Sequence, residues 1–260
     1  TEATACQDCY KCIRECPVKA IKIEQGRAAI VEEACIHCGH CVAVCPVGAK
    51  RVRQDVLRAQ QLVRLKKTYV SLAPSFLTEF SDCTEAQMVA ALLALGFAGV
   101  SETALGADCV SAETVRLLPT LPAGVHISSA CPTIVELIKK HYPALQQTVM
   151  SVLSPLLTHA KILRETFGAD IGVVFIGPCI AKKKEADRYP QLLDVALTFD
   201  ELRHWFAERE IVPAALSGAD GFVPAKAARG RLYPIDGGMI ASIKQDCSTT
   251  DQHYMSFSGM

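Results

Sequence analysis

The stretch Cys6-Gln7-Asp8-Cys9-Tyr10-Lys11-Cys12-Ile13-Arg14-Glu15-Cys16-Pro17 returns 29 residues later as Cys35-Ile36-His37-Cys38-Gly39-His40-Cys41-Val42-Ala43-Val44-Cys45-Pro46. Both copies read C-x2-C-x2-C-x3-C-P, so an internal repeat is visible before any helix or strand is assigned. Eight of the 13 cysteines crowd into the first 45 residues at metal-ligand spacing, whereas disulfide frameworks belong to small secreted chains. The pattern therefore points to metal. Thiolates are soft ligands suited to iron and sulfide, and the short spacings let consecutive backbone N–H groups point at a bound sulfur. A pair of zinc knuckles is the competing reading, but closed tetrahedral zinc sites have no need of duplicated Cys-Pro endings.

The duplicated run resembles that of the bacterial two-cluster ferredoxins. There, three closely spaced thiolates wrap one four-iron cluster, and the fourth, turned away by the following proline, ligates the other. The resemblance implies two 4Fe-4S clusters with crossed ligand sets: Cys6, Cys9, Cys12 and Cys45 for one, Cys35, Cys38, Cys41 and Cys16 for the second. His37 and His40 fall inside a motif whose thiolate count is complete and read as solvent-facing fillers. Between the motifs, residues 20–24, a turn at Gln25-Gly26-Arg27 and residues 28–31 read as a short hairpin.

Residues 55–67 space their apolar positions at three and four and predict a connecting helix. Beyond it, expected strands at 69–73, 125–128, 171–176 and 195–198 alternate with expected helices at 85–95, 111–118, 134–141, 156–167 and 200–208. Thr198 or Asp200 is the expected cap of the last helix. Strands separated by helices argue an α/β domain with a largely parallel sheet. The expected organisation is a ferredoxin-like domain at 1–54, a connecting helix at 55–67 and an α/β domain at 68–260.

Lys plus Arg equals Asp plus Glu at 27 each, so no overall basic field is available for nucleic acid or an anionic membrane. The longest apolar stretch, 88–100, is far short of the ~20 residues a membrane span needs. No signal-peptide pattern opens the chain, so a soluble, cytoplasmic protein is expected. The missing initiator Met and the abrupt finish at Ser258-Gly259-Met260 lead us to expect a longer gene product.

Two later cysteines each follow an expected strand and stand beside a proline. They lie in Ser128-Ser129-Ala130-Cys131-Pro132 and Gly177-Pro178-Cys179-Ile180-Ala181-Lys182-Lys183-Lys184-Glu185. Strand ends are where α/β folds place ligands. Taken singly, each cysteine would read as a buried structural thiol, and the lysine triplet as a solvated face. Behind the two-cluster module, however, the two segments resemble the first two signature motifs of the iron-only (diiron) hydrogenases, and the resemblance covers essentially the whole chain.

That resemblance implies a partial hydrogenase-like α/β domain whose active-site H-cluster, a 4Fe-4S group joined to a diiron subsite, is ligated by Cys131 and Cys179. It implies that Lys182 holds a cyanide of the diiron subsite and that Glu185 is the nearby motif carboxylate. The departures matter as much. The family's proton-relay cysteine is Ala130 here, and the other relay positions fall on Thr114, Leu117 and near Met150. None of these can pass a proton as the family's groups do. Gly177 replaces the family's Met in the subsite wall, and the third motif, Cys-x-Gly-Gly-Cys, occurs nowhere in the 260 residues. Cys247 reads as part of a polar loop, and Cys83 and Cys109 as core or helix thiols.

The pattern is similar to sensory-type members of the family, which implies low turnover, hydrogen or redox sensing, H2 as ligand, and a ferredoxin-like or signalling partner. The alternative is a non-catalytic iron–sulfur electron carrier or cluster-assembly relative with an empty active site. A third reading makes the second domain an interaction platform for a kinase or phosphatase.

Overall fold

The computed structural model describes residues 5–218, 221–244 and 254–257, so Cys247 and residues 258–260 of the final stretch lie outside the described residues. In chain order the elements open with α1 (Lys11–Glu15), β1 (Ile21–Glu24), β2 (Arg27–Ile30), α2 (His40–Ala43), α3 (Val56–Leu65), β3 (Thr68–Leu72) and α4 (Phe76–Glu79). There follow α5 (Glu85–Ala94), β4 (Gly99–Glu102), α6 (Thr103–Leu117), α7 (Pro132–His141), α8 (Pro155–Phe167) and β5 (Gly172–Ile176). The last are α9 (Ala181–Arg188), β6 (Val195–Leu197), α10 (Phe199–Glu208) and α11 (Gly238–Lys244).

The chain divides into two compact units, the first comprising the described residues up to Arg53 together with Val125–Ser151. The second comprises Gln54–Gly124 and the described residues from Val152 on. Nothing in the local sequence pattern signals that residues 125–151 belong with the N-terminal unit. The bonds that fasten them are donated to backbone carbonyls: Lys140 Nζ reaches Glu32 O at 2.9 Å and Cys35 O at 2.6 Å, and His141 Nε2 reaches Ala34 O at 2.8 Å.

In the first unit the hairpin forms as expected, β1 and β2 pairing antiparallel from Ile21↔Ile30 to Glu24↔Arg27. Its turn residues Gln25 and Gly26 both have positive φ, 51° and 71°, as a two-residue turn of the mirror-image type requires. No strand forms at 125–128, which makes only an isolated bridge, Ile127↔Val149. The segment then turns, Ser128 Oγ accepting from Ala130 N at 3.2 Å, before Pro132 opens α7.

The second unit is built on a parallel four-stranded sheet in the order β4-β3-β5-β6. Strands β3 and β5 are buried at every position, as a parallel sheet covered on both faces demands. Around them Val70, Leu72, Met88, Leu92, Leu163, Val174, Ile176, Leu202 and Trp205 form the core. Thr84 caps α5 through a reciprocal box with Gln87, and Thr198, not Asp200, caps α10 through one with Glu201. Strand β4 escapes the sequence pattern because it is short and half polar, yet Ser101 and Glu102 are buried in it. The helix expected at 111–118 starts eight residues earlier, at Thr103, its buried face running Ala104, Ala107, Val110, Ser111 and Thr114. Among the described residues no helix is long and apolar enough to cross a membrane.

Candidate functional site

The repeat in sequence is a repeat in backbone. Asp8 and His37, Tyr10 and Gly39, and Lys19 and Gly48 are equivalent across the two copies, and all six have positive φ, between 50° and 81°. Non-glycine residues adopt this conformation at a cost of ~1 kcal/mol or more, and it turns successive N–H groups inward into an anion-binding nest. Tyr10 and Gly39 then serve as the residues preceding α1 and α2. Only Gly26, Gly39 and Gly48 could have signalled such turns; Asp8, Tyr10 and Lys19 could not.

Cys6, Cys9, Cys12 and Cys45 line one cavity, together with Asp8, Tyr10, Ala28 and Lys50. The fourth thiol thus comes from the second repeat. Backbone N–H groups of Ala28 and Asp8 hold the Cys6 thiol below the usual thiol range. At Cys45 burial acts upward, but the N–H groups of Lys50, Val47, Ala49 and Gly48 outweigh it and lower the pKa. The Cys12 thiol is pushed up by burial. Among the described residues no three His, Cys, Asp or Glu side chains converge on the point a single ion would occupy. The four thiols surround a space instead, and that donor set fits a polynuclear iron–sulfur group with one thiolate per iron.

The other four thiols sit close by in the same unit. Cys16 accepts from Ala20 N at 3.3 Å and Cys35 from His37 N at 3.4 Å. Cys16, Cys35 and Cys41 pack about the small apolar cluster of Ala20, Ile21 and Ala28. Burial raises the Cys41 thiol, and the neighbouring Cys35 and Cys38 add to the rise. Burial likewise raises Cys35, opposed by the His37 N–H and by the charge of Lys140. His37 is not the solvent-facing filler expected: its side chain is only 17% exposed, with Nδ1 4.0 Å from Cys35 Sγ and Nε2 4.0 Å from Glu32. His40 is exposed as expected.

Cys131 falls in the first unit and Cys179 in the second. Cys131 follows no strand; it is the exposed residue at the start of α7, with Pro132 in the first helical turn and Ala130 half-buried before it. Cys179 is half-buried and does follow a strand, three residues past the end of β5, in the short turn that opens α9. Gly177 between them is buried, and a Cβ there would lie 2.5 Å from Phe175 Cζ and 2.8 Å from Ala73 Cβ. A side chain such as methionine would therefore meet the ring of Phe175.

The lysine triplet is not a solvated face. Lys182 Nζ lies 2.7 Å from Glu185 Oε2, both side chains being largely buried. Lys183 is buried outright, donating to Asp55 Oδ2 at 2.9 Å, Glu201 Oε1 at 2.9 Å and Ala196 O at 2.9 Å. Helical geometry turns successive residues by about 100°, so a run of three charges on α9 cannot share one face. A further buried polar cluster had no sequence signal. His159 on α8 is bonded through Nδ1 to Ser71 Oγ at 2.7 Å and through Nε2 to Ser101 Oγ at 2.8 Å. Burial drives the His159 pKa down to about 3, so the ring is neutral. Of the remaining thiols, Cys83 packs against the core and Cys109 is exposed on α6.

A thiol-lined unit built on a repeat, in one chain with a parallel α/β sheet that has a cysteine at a strand end, defines an iron–sulfur protein. The profile of the 4Fe-4S dicluster domain matches residues 1–46, and that of the iron-only hydrogenase large subunit, C-terminal domain, matches residues 66–258. The chain belongs to the iron-only hydrogenase family. Among solved structures it is similar to an FeFe hydrogenase studied for oxygen inactivation by modification and degradation of the 2Fe subcluster of the H cluster. The identity there is 27% and the TM-score 0.61, over 74% of this chain and 57% of that one. A Glu-to-Gln variant of an FeFe hydrogenase from Chlamydomonas reinhardtii matches at 26% identity and TM-score 0.60, over 74% and 57%. An apo Cys-to-His variant from the same organism matches at 25% and 0.58, over 71% and 59%. The chain thus spans less than two thirds of the length of these structures. Among curated proteins no sequence matches.

Proposed function

We propose that the chain is a sensory-type member of its family, an electron-wired reporter of hydrogen or redox state with low turnover. The observation that carries this reading is Ala130-Cys131-Pro132, in which a methyl group stands where the family's proton-relay cysteine is expected. Two 4Fe-4S groups, held by Cys6, Cys9, Cys12 and Cys45 and by Cys16, Cys35, Cys38 and Cys41, would supply single-electron transfer, and an H-cluster whose 4Fe-4S part takes Cys131 and Cys179, with two ligands not found in these 260 residues, would supply heterolytic handling of H2. The thiols lining the first cavity support the first ligand set.

The chain's own residues define the limits on turnover. Ala130 has no proton to give, and buried Thr114 is a hydroxyl where a carboxylate would be needed. Lys182 is the donor matched to the diiron cyanide; it has three N–H bonds, so its pairing with Glu185 leaves donors for a second anion. Its partner would be a ferredoxin-like electron protein or a signalling domain. The packing of Phe175 and Ala73 about Gly177 favours a second reading, an electron carrier whose diiron site stays empty.

Infrared spectra of an anaerobically matured sample separate the two. Bands from iron-bound carbonyl and cyanide, low H2 turnover, and a clear rise in turnover on Ala130→Cys are expected of the sensory reading. Bands with no gain in the variant would overturn the relay argument, and iron without such bands would establish the carrier.

A further inference from the structure

The two repeats part company at one buried position. Five residues after Cys16 stands Ile21, an apolar residue of the small core; five residues after Cys45, the equivalent place holds Lys50. Lys50 is only 3% exposed. Its Nζ donates to Ala28 O at 2.8 Å, and Lys50 and Ala28 both line the cavity shared by Cys6, Cys9, Cys12 and Cys45. Four thiolates around an oxidised 4Fe-4S core carry a net negative charge, and one added electron increases it by one. An ammonium in the cavity wall therefore stabilises the reduced form more than the oxidised form, and net charge is among the factors that set such potentials.

We infer that Lys50 sets the reduction potential of the cluster held by Cys6, Cys9, Cys12 and Cys45, raising it above the value that an apolar residue at the same place in the repeat would give. The inference rests on the two-cluster reading above. Uptake of one electron from an external one-electron donor is the whole reaction, and no proton or ligand bond changes. The functional consequence is a place for that electron to rest within the first unit.

The test is a dithionite titration of the anaerobic, reconstituted full chain, followed by the electron paramagnetic resonance of the reduced clusters, with iron and sulfide assayed on the same samples. In Lys50→Met one of the two waves is expected to move to more negative potential by a tenfold or larger change in the reduced-to-oxidised ratio, about 59 mV. The other is expected to move less. Lys50→Gln, which keeps a donor for Ala28 O but no charge, should behave as the Met variant does, and Lys50→Arg should stay near the parent. Unmoved waves in a Met variant with full iron content would overturn the inference. A shift in the Met variant but not in the Gln variant would overturn it too, by assigning the effect to the hydrogen bond. Should the Met variant lose iron, the Gln variant decides; loss from both makes Lys50 a structural requirement and overturns the tuning role. Fewer than eight irons per parent chain would instead defeat the two-cluster reading itself.

Discussion

The two units are held together by different physics. In the first, the buried apolar cluster consists of Cys12, Cys16, Ala20, Ile21 and Ala28, two of them cysteines matched to metal ligands. In the second, 32 buried residues form one core around a four-stranded sheet. Ordering a residue costs ~1–2 kcal/mol in conformational entropy, a cost that a handful of small side chains cannot offset over the about 76 described residues of that unit. Burial of Leu, Ile, Val, Phe and Trp side chains at ~1.5–3 kcal/mol each can do so in the second unit. We therefore expect the first unit to depend on iron–sulfur groups for its fold, whereas the second stands on hydrophobic burial.

Removing the iron is the strongest way to break this contrast. Stripping iron and sulfide with a chelator should abolish amide hydrogen-exchange protection in β1, β2 and the segments around α1 and α2 while leaving β3 and β5 protected. Equal protection in both units after stripping would refute the comparison.

A smaller effect probes a place where the second unit departs from apolar burial. Lys183, Asp55 and Glu201 meet with their side chains 7%, 1% and 1% exposed. Lys183→Met removes the ammonium shared by Asp55 and Glu201, leaving Arg58 on Asp55 and no cation of α9 on Glu201, so urea unfolding followed by the fluorescence of Trp205, the only tryptophan, should show a loss of ~3–5 kcal/mol. The iron content of the first unit should not change. A loss below about 1 kcal/mol would mean that solvent reaches the cluster.

The smallest effect sharpens the pH behaviour of the same core. His159 titrates near 6.5 when unfolded and at about 3 when folded, so the unfolded chain binds the proton more readily. Its contribution is whole above about pH 6.5 and is lost as the pH falls toward about 3, at ~1.4 kcal/mol per unit and hence ~2 kcal/mol by about pH 5. Unfolding of the parent and of His159→Gln at several pH values between these limits measures the slope. An unchanged slope in the variant would show that the ring is not the titrating group.

The second unit's alternation of strand and helix was legible because β5 is a continuous apolar run, β3 is rich in strand-forming residues, and helices carry clear caps, as at Thr84 and Thr198. Strand β4 was not, since Ser101 and Glu102 look solvent-exposed until His159 and Arg231 are placed beside them. At the candidate site the eight clustered cysteines stand out by motif spacing alone, whereas Ala130, Cys131 and Cys179 are singled out only by the resemblance of their segments to the family's motifs. Lys50 carries no signal in the sequence, and Lys183 belongs to a triplet whose plain reading is a solvated face, because nothing within a few residues of either shows that it is enclosed. His37 was misjudged for the same reason.

What the chain's order of residues determined by itself is whatever depends on neighbours within one turn or one loop. That covers the thiolate spacing, the cysteine–proline endings, the hairpin turn at Gln25-Gly26 and the helix caps, because short-range sterics and hydrogen bonds govern them. Only the tertiary structure decided which charges are buried, where residues 125–151 belong, and that Asp55 and Lys183, 128 positions apart, share a bond. Burial depends on what distant segments bring to the same place, and no local pattern carries that information.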